Sequence, residues 1–393
     1  MTHFLSFFLI FLVALLFSAA FKRLHFPWVI ALIVGGVVIG PFGLELLEVD
    51  QTIGFFGEVG LIFLMFMAGL EVKLSSLKRK KKEIASFSAL NSLVPFAVAV
   101  ILGLAFDYHP YALIMLGIVF MSSSVAVAIP SLKRSGLLKT DFGKVIISSI
   151  TLEDLASLLV LSVFLQIVDP ILPLPLPLFY LLLFIFIVVV KWLIPRARWA
   201  LLPSEVKESD LFEKEFRFVF VALLGMVVFF EFIGLHAIIA GFLAGLLLSD
   251  SIESKELREK ISVISYGVFI PVFFVVVGME MDIGAFLEAT ELLFFTVAIV
   301  ISSMAAKFMS GYWGGKVNGF NKVQSQFAGI ATIPQLSTGL AAAFVGFEVG
   351  ILERDLLTAI IVLSVFTTLC GPLLINYFLR NKSLMEDDDR YAE

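Results

Sequence analysis

The chain has 393 residues, of which 60% are hydrophobic and 16% are charged, and its formal net charge is −5. Phenylalanine alone occupies 42 positions, and the mean hydropathy is +1.04. A soluble protein of this length cannot cover so much apolar surface, whereas a lipid bilayer can. The composition therefore predicts an all-α polytopic membrane protein.

Two kinds of functional motif are missing from the sequence. Its one cysteine, Cys370, excludes an internal disulfide and a cysteine-based metal cluster. The pairs Gly143-Lys144 and Gly315-Lys316 lack the earlier glycine and the following Ser or Thr of a phosphate-binding loop. We therefore expect neither an enzyme nor a bound cofactor, and no nucleic-acid partner.

Apolar segments long enough to cross about 30 Å of hydrocarbon recur along the whole chain. We predict thirteen spans, of which the second and ninth are short. In chain order they cover residues 3–21, 27–40, 52–70, 84–106, 111–132, 142–168, 175–195, 215–233, 235–249, 262–279, 289–309, 323–347 and 356–378.

Charge alternates between the loops on the two sides of these spans. Of the 28 lysines and arginines, 26 fall on one side, in loops or at the adjoining ends of spans. The exceptions are Arg354, on the other side, and Lys307, deeper inside a span. Because positively charged loops stay in the cytoplasm, we predict an inner-membrane protein with its N-terminus outside and its C-terminus inside. Residues 380–393 are predicted to form a cytoplasmic tail.

The fifth and twelfth spans share an irregularity. Each contains a cluster of Ser or Thr and a proline, Pro130 in "MSSSVAVAIPSL" and Pro334 in "IATIPQLSTGL". Broken helices in corresponding positions of two halves are typical of inverted-repeat transporters. We predict a first repeat at 1–174, a connecting span at 175–200 and a second repeat at 215–379. Ordinary helix kinks are the alternative interpretation.

We single out four charged residues inside predicted spans, because a charge at the bilayer centre costs roughly 2.5–3.5 kcal/mol. They are Glu58 in the third span, Glu153 and Asp154 in the sixth and Lys307 in the eleventh. Neighbouring helix positions differ by about 100° around the axis, so Glu153 and Asp154 point in different directions. One acid can therefore face a pairing partner while the other faces a cavity. A snorkelling Lys307 and a Glu58 hydrogen-bonded between helices remain alternatives.

Such an arrangement suits exchange of a cation for a proton. Burial favours the protonated form of a carboxyl group, and a nearby cation favours the charged form. A carboxyl group subject to both effects can hold a proton or a metal ion, but not both. Hydroxyls and freed carbonyls near Ser123 and Ser124 are the hard oxygen ligands that Na⁺ and K⁺ prefer. Lys307 would neutralise whichever acid stays charged, and exchange would become faster as the pH rises.

The sequence also resembles a known family, the monovalent cation:proton antiporters of the second cation/proton antiporter group, over nearly its whole length. The resemblance is carried by "KRLHFPWVIALIVGGVVIGPFGLELL", "GEVGLIFLMFMAGLE", "SSSVAVAIPSLKRSGLLKTDFGKVIISSITLEDLASLLVL", "GLHAIIAGFLAGLLLSD" and "IPVFFVVVGMEMD". It implies the sodium/proton antiporter fold, with two crossed broken helices, and a homodimer. No nucleotide-binding regulatory domain is expected after the membrane part.

By position, the resemblance implies that Asp154 binds both the proton and the cation, with Glu153 as its neighbouring acid and Lys307 as the basic residue of the eleventh span. Ser123, Ser124 and Thr151 match the auxiliary ligands. We add Glu58 as a candidate ligand because it is an intramembrane acid. The pair is Glu-Asp here, whereas electrogenic members show Asp-Asp and electroneutral members Asn-Asp, so the stoichiometry stays open.

The leading hypothesis is therefore a secondary antiporter that exchanges Na⁺, or K⁺ or Li⁺, for protons by alternating access. A channel-like potassium efflux protein is one alternative, and it would carry current independently of a proton gradient. A non-transporting membrane sensor or scaffold with the same fold is another, and it would show no exchange under any gradient.

Overall fold

A computed structural model describes residues 3–23, 26–72, 80–170, 174–201, 208–249, 252 and 254–381. Within these ranges the chain is helical and contains no strand. The helices are α1 (His3–Arg23), α2 (Trp28–Ile39), α3 (Gln51–Glu71), α4 (Lys81–Ala105), α5 (Pro110–Met121), α6 (Val125–Arg134), α7 (Asp141–Val168), α8 (Leu176–Leu201), α9 (Glu208–Phe232), α10 (Ala237–Leu248), α11 (Lys255–Ile264), α12 (Ile270–Met279), α13 (Ile283–Glu288), α14 (Thr290–Val317), α15 (Lys322–Ala331), α16 (Ser337–Glu348) and α17 (Arg354–Asn381).

Every predicted span overlaps one of these helices or a pair of successive helices. In the described part of the chain, nine helical stretches are long and apolar enough to cross a membrane, and α2 and α10 are shorter apolar helices. The two remaining predicted spans correspond to α9 and to the pair α15–α16. The all-α, multi-pass prediction is confirmed, and the count of thirteen agrees with the helices observed.

Local sequence signals explain several helix boundaries. Asp50 caps α3 by accepting a hydrogen bond from the backbone N–H of Ile53 at 2.8 Å. Pro110 occupies the first turn of α5, where its missing N–H costs nothing. Asn321 and Gln324 form a reciprocal capping box at the start of α15. These caps satisfy backbone donors that would otherwise be left without partners.

Two features were not predicted from the sequence. A short helix, α13, lies between the tenth and eleventh spans. The tenth span itself is interrupted by a π-helical turn at Ser265–Phe269, which joins α11 to α12. Pro271, two residues after this turn, has no backbone N–H to donate to a helical bond, which fits the local change of helical pitch.

The chain folds into two compact units that interleave along the sequence. Unit 1 comprises residues 1–19, 31–73 and 162–279, and unit 2 comprises residues 20–30, 74–161 and 280–393. The predicted repeats are continuous stretches of sequence, whereas these units group distant segments by their contacts. The division into repeats stays a prediction.

Unit 1 is held together by close backbone packing at glycines. A Cβ on Gly36 of α2 would lie 2.0 Å from the carbonyl oxygen of Val275 in α12, and one on Gly278 would lie 2.1 Å from that of Ile33. A Cβ on Gly69 of α3 would lie 2.2 Å from the carbonyl oxygen of Phe242 in α10. Small residues therefore let these helix backbones touch, as membrane helix interfaces require.

Unit 2 contains the broken helices and a buried apolar cluster to which they contribute. The cluster is drawn from five helices and the turn between α6 and α7, and consists of Phe87, Ala128, Leu132, Leu137, Phe142, Ile146, Ile150, Phe327, Ala328, Ala331, Ile375 and Phe378. Because α6, α7 and α15 all contribute to it, the cluster fixes the position of one half of each broken helix against the helix that carries the two adjacent acids.

Candidate functional site

Two broken helices meet inside unit 2. Helix α5 ends at Met121 and α6 begins at Val125, and the serines between them are extended. Helix α15 ends at Ala331 and α16 begins at Ser337. The backbone N–H of Ser124 donates to the carbonyl of Pro334 at 2.7 Å, so the two interruptions contact each other directly. The prediction of two crossed broken helices is confirmed.

The first interruption is not at Pro130. That proline lies inside α6, and the break falls earlier, at Ser122–Ser124. The reason is that partners are available at the earlier position for the carbonyls freed at the end of α5. The Phe120 carbonyl accepts from the side-chain amide of Gln335 at 3.2 Å, and the Met121 carbonyl accepts from Lys307 Nζ at 2.7 Å.

Glu153 and Lys307 form an ion pair in the interior of unit 2. Glu153 Oε2 lies 3.3 Å from Lys307 Nζ, and both side chains are 0% exposed. The hydroxyl of Ser123 accepts from Lys307 Nζ at 2.9 Å and lies 2.8 Å from Glu153 Oε2. The snorkelling alternative for Lys307 is wrong, because its ammonium group is buried and donates to protein oxygens.

Asn91 completes the surroundings of this pair, and sequence reasoning missed it. Its side-chain Nδ2 lies 2.9 Å from each oxygen of Glu153, and its backbone carbonyl accepts from Lys307 Nζ at 2.9 Å. The carbonyl is available because Pro95, four residues later in α4, has no N–H to donate. The sequence signal that could have identified Asn91 is an asparagine four residues before a proline in an apolar span.

Asp154 stands in a different environment from its neighbour. It is partly exposed, and its side chain interacts with the side chain of Thr338 and with the backbone of Ser123. Its Oδ1 atom is buried, and among the described residues it has no hydrogen-bond partner. The two acids therefore point in different directions, as the helical geometry predicted, and Asp154 is the one with a free buried oxygen.

Helix ends add partial charges around these groups. Ser124 is the residue before α6, and Thr338 is the second residue of α16, so Asp154 is near the positive ends of two half-helices. Lys307 binds the last carbonyl of α5, at the negative end of that half-helix. Each charge is thus next to the helix end that favours it.

The other predicted ligands differ in how they relate to this cluster. The buried hydroxyl of Ser124 has no hydrogen-bond partner among the described residues, so its oxygen is available. Thr151 donates its hydroxyl to the carbonyl of Ile147, one turn earlier in α7, at 2.9 Å. Glu58 belongs to unit 1, where its charge interacts with that of Glu231. The ligand roles of Ser123, Ser124, Thr151 and Glu58 stay predictions.

Comparison with known proteins relates this chain to a family. The profile described as "Sodium/hydrogen exchanger, transmembrane" matches residues 8–380. The chain is 29% identical over 385 residues to the probable Na⁺/H⁺ antiporter 3 of Methanocaldococcus jannaschii, covering 96% of each chain. It is 30% identical over 365 residues to a Na⁺/H⁺ antiporter of Enterococcus hirae, covering 91% of this chain and 93% of the relative.

A solved structure shows the same fold. The sodium proton antiporter MjNhaP1 of Methanocaldococcus jannaschii, determined at pH 8, aligns with a TM-score of 0.72 over 97% of this chain and 98% of its own, at 18% identity. The family assignment rests on the profile match, which spans nearly all of the described helices, and the structural likeness supports the fold. The chain belongs to the transmembrane sodium/hydrogen exchanger family, and it is a multi-pass membrane protein.

Proposed function

We propose that this protein is a secondary active antiporter that exchanges a monovalent cation for protons by alternating access, with Asp154 as the exchanging group. The observation that carries the proposal is the contrast between the two adjacent acids. Glu153 is buried and paired with Lys307, whereas Asp154 keeps a buried oxygen without a partner. A group with a free oxygen at the meeting point of two broken helices suits a transported ion.

The chemistry of one carboxylate makes the exchange obligatory. With a proton or a monovalent cation bound, the Asp154 site is neutral. The transition between its outward-open and inward-open states then carries no net charge through the membrane core. Without either, the site carries a charge that costs roughly 2.5–3.5 kcal/mol at the bilayer centre. The empty site is therefore the form least able to cross, so cation movement in one direction is coupled to proton movement in the other.

Na⁺ is the first candidate for the cation, and K⁺ and Li⁺ are also proposed. Relatives named as Na⁺/H⁺ antiporters support Na⁺, and the relative GerN of Bacillus cereus, 26% identical over 90% of this chain, is named a Na⁺/H⁺-K⁺ antiporter. The oxygen ligands proposed around Asp154 are those of Ser123, Ser124 and Thr151, which are hard and suit alkali cations. No enzymatic step and no cofactor are part of the proposal.

The proposal extends to assembly and orientation. We place the protein in the cell membrane as a homodimer, with its N-terminus outside and residues 380–393 in the cytoplasm. The distribution of basic residues supports this orientation. We also retain the division into two inverted repeats, 1–174 and 215–379, because each contains one of the broken helices.

Substitution of Asp154 by Asn tests the central assignment. The amide cannot exchange a proton for a cation, so we expect no Na⁺-driven proton movement in proteoliposomes that contain a pH-sensitive dye. Asp282→Asn is the matched control, because Asp282 caps α13 by accepting from Ala285 N–H at 2.9 Å and Asn is an equally good cap. Exchange by the Asp154→Asn protein would contradict the proposal.

A further inference from the structure

Asn91 makes more contacts with the buried ion pair than any ligand predicted from the sequence. It is 0% exposed, in the middle of α4. Its Nδ2 atom lies 2.9 Å from Glu153 Oε1 and 2.9 Å from Glu153 Oε2. An amide nitrogen that faces both oxygens of a carboxylate fixes the orientation of that carboxylate as well as its position.

The orientation of the Asn91 amide is itself fixed from the opposite side. Its Oδ1 atom accepts from the hydroxyl of Ser310 at 2.7 Å and from the hydroxyl of Thr332 at 3.4 Å. A flipped amide would place its oxygen against the Glu153 carboxylate, which has no proton to donate, so the carboxylate selects the observed orientation. The hydroxyls of Ser310 and Thr332 face the amide oxygen in this orientation and can donate to it.

Asn91 also holds the other member of the pair. Lys307 Nζ donates to the Asn91 backbone carbonyl at 2.9 Å, in addition to Met121 O and Ser123 Oγ. One residue thus fixes both the acid and the base. None of the contacts recorded for Asn91 involves Asp154.

We propose that Asn91 is a positioning residue of the transport site, which holds Glu153 against Lys307 so that Asp154 alone receives the transported cation. This inference rests on the proposed antiport function. Glu153 and Asp154 are adjacent in α7, and Glu153 has the longer side chain. Lys307 and Ser123 contact Glu153 Oε2. The contact recorded for Oε1 is the one with Asn91. Without the amide, the carboxylate could rotate towards the cation bound at Asp154 and disturb the geometry of that site.

The first variant is Asn91→Leu, which keeps the approximate size of the side chain and removes the amide. We expect the apparent KM for Na⁺ to rise about tenfold, as loss of a residue that orients ligands commonly does, while the maximal rate falls much less. Ser92→Ala is the matched control, since its buried hydroxyl has no partner among the described residues and lies on the same turn of α4.

A second measurement does not require transport. Na⁺ stabilises any folded form that binds it, so the rise in thermal midpoint on Na⁺ addition reports binding in detergent. We expect this rise to be smaller in Asn91→Leu than in the Ser92→Ala protein. If Asn91→Leu does not fold, Ser310→Ala decides the matter, because it removes the 2.7 Å hydroxyl contact with the Asn91 amide oxygen, leaves the amide in place and should raise the KM in the same direction.

A double-mutant cycle separates positioning from a merely structural role. If Asn91 acts through Glu153, the effect of Asn91→Leu on KM should disappear in a Glu153→Gln background, which has no carboxylate to hold. Equal effects in both backgrounds, or a KM for Asn91→Leu within about twofold of the native value, would overturn the inference. Failure of the native protein to exchange any of Na⁺, K⁺ and Li⁺ for protons would instead overturn the proposed function.

Discussion

At the scale of single residues, the buried pair of Glu153 and Lys307 adds little to the free energy of unfolding, but loss of one partner alone is costly. Taking both charges out of water cancels much of their attraction, so the pair contributes little to net stability. The contacts around it nevertheless make each partner necessary to the other. Lys307 has three protons to donate, and four oxygen atoms lie within 3.3 Å of its nitrogen.

Removal of the lysine alone should therefore be costly. We expect Lys307→Ala to lower the free energy of unfolding by about 3–5 kcal/mol, because it leaves the Glu153 carboxylate buried without a counter-charge. The change would be measured as a fall in the thermal midpoint of the purified protein in detergent.

An exposed ion pair provides the control for this prediction. Arg217 and Glu213 lie 2.9 Å apart, four residues apart on α9, and both are 73% exposed. Arg217→Ala should cost at most about 1 kcal/mol. A Lys307→Ala protein as stable as the Arg217→Ala protein would mean that Glu153 carries no charge that Lys307 balances.

The sequence revealed the charged members of the site more readily than the neutral one. Glu153, Asp154 and Lys307 were predicted because a charge in an apolar span is costly and therefore conspicuous. Asn91 was missed because an amide in a membrane helix is a weaker signal, and because its partners are 62 and 216 positions away in the sequence. Pairings over such distances depend on the fold and cannot be derived from local patterns.

At the scale of helices, the two interruptions satisfy each other. Ser124 N–H donates to the Pro334 carbonyl, and Ser123 Oγ lies 3.1 Å from the Thr332 carbonyl. Pairs of prolines and hydroxyl residues correctly predicted that both spans are broken. They did not predict that the first break would lie at the serines, since only the second segment supplies the partners that make that position favourable.

Glycine packing in unit 1 gives a prediction at this scale. A Cβ on Gly36 would lie 2.0 Å from a backbone oxygen in α12, which cannot move without shifting the helix. Gly36→Ala should therefore lower the free energy of unfolding by about 1–3 kcal/mol through overpacking. The loss would appear as a lower thermal midpoint in detergent.

Gly225 offers the same chemical change without the clash. It is exposed on α9, and no heavy atom outside its own helix lies within 4 Å of the position where a Cβ would be. Gly225→Ala should be neutral or stabilising by up to about 1 kcal/mol, as expected for glycine in a helix interior. Equal thermal midpoints for the two variants would contradict the proposed backbone contact between α2 and α12.

At the scale of the whole molecule, each compact unit has its own kind of interior. Unit 1 packs helix backbones together at glycines, whereas unit 2 contains the broken helices, the buried ion pair and Asp154. All the polar contacts described at the site are within unit 2. The division follows contacts between distant segments, which explains why hydropathy predicted the spans but not this grouping.

The orientation of unit 2 in the membrane can be tested across one broken helix. Lys322 is the first residue of α15, and Glu353 precedes α17, so the two exposed positions flank the segment α15–α16. We replace each with cysteine in a Cys370→Ser background, which removes the native thiol. Because basic loops face the cytoplasm, an impermeant maleimide applied to intact cells should label Glu353→Cys but not Lys322→Cys.

Lysis should then expose Lys322→Cys to the same reagent, which confirms that the thiol is reactive. The two halves of this segment have 10 and 12 residues, so neither alone covers the hydrocarbon core and only the pair in series can do so. Labelling of both cysteines in intact cells would show that the broken segment does not cross. Labelling of Lys322→Cys alone would reverse the orientation proposed for the two ends of the chain.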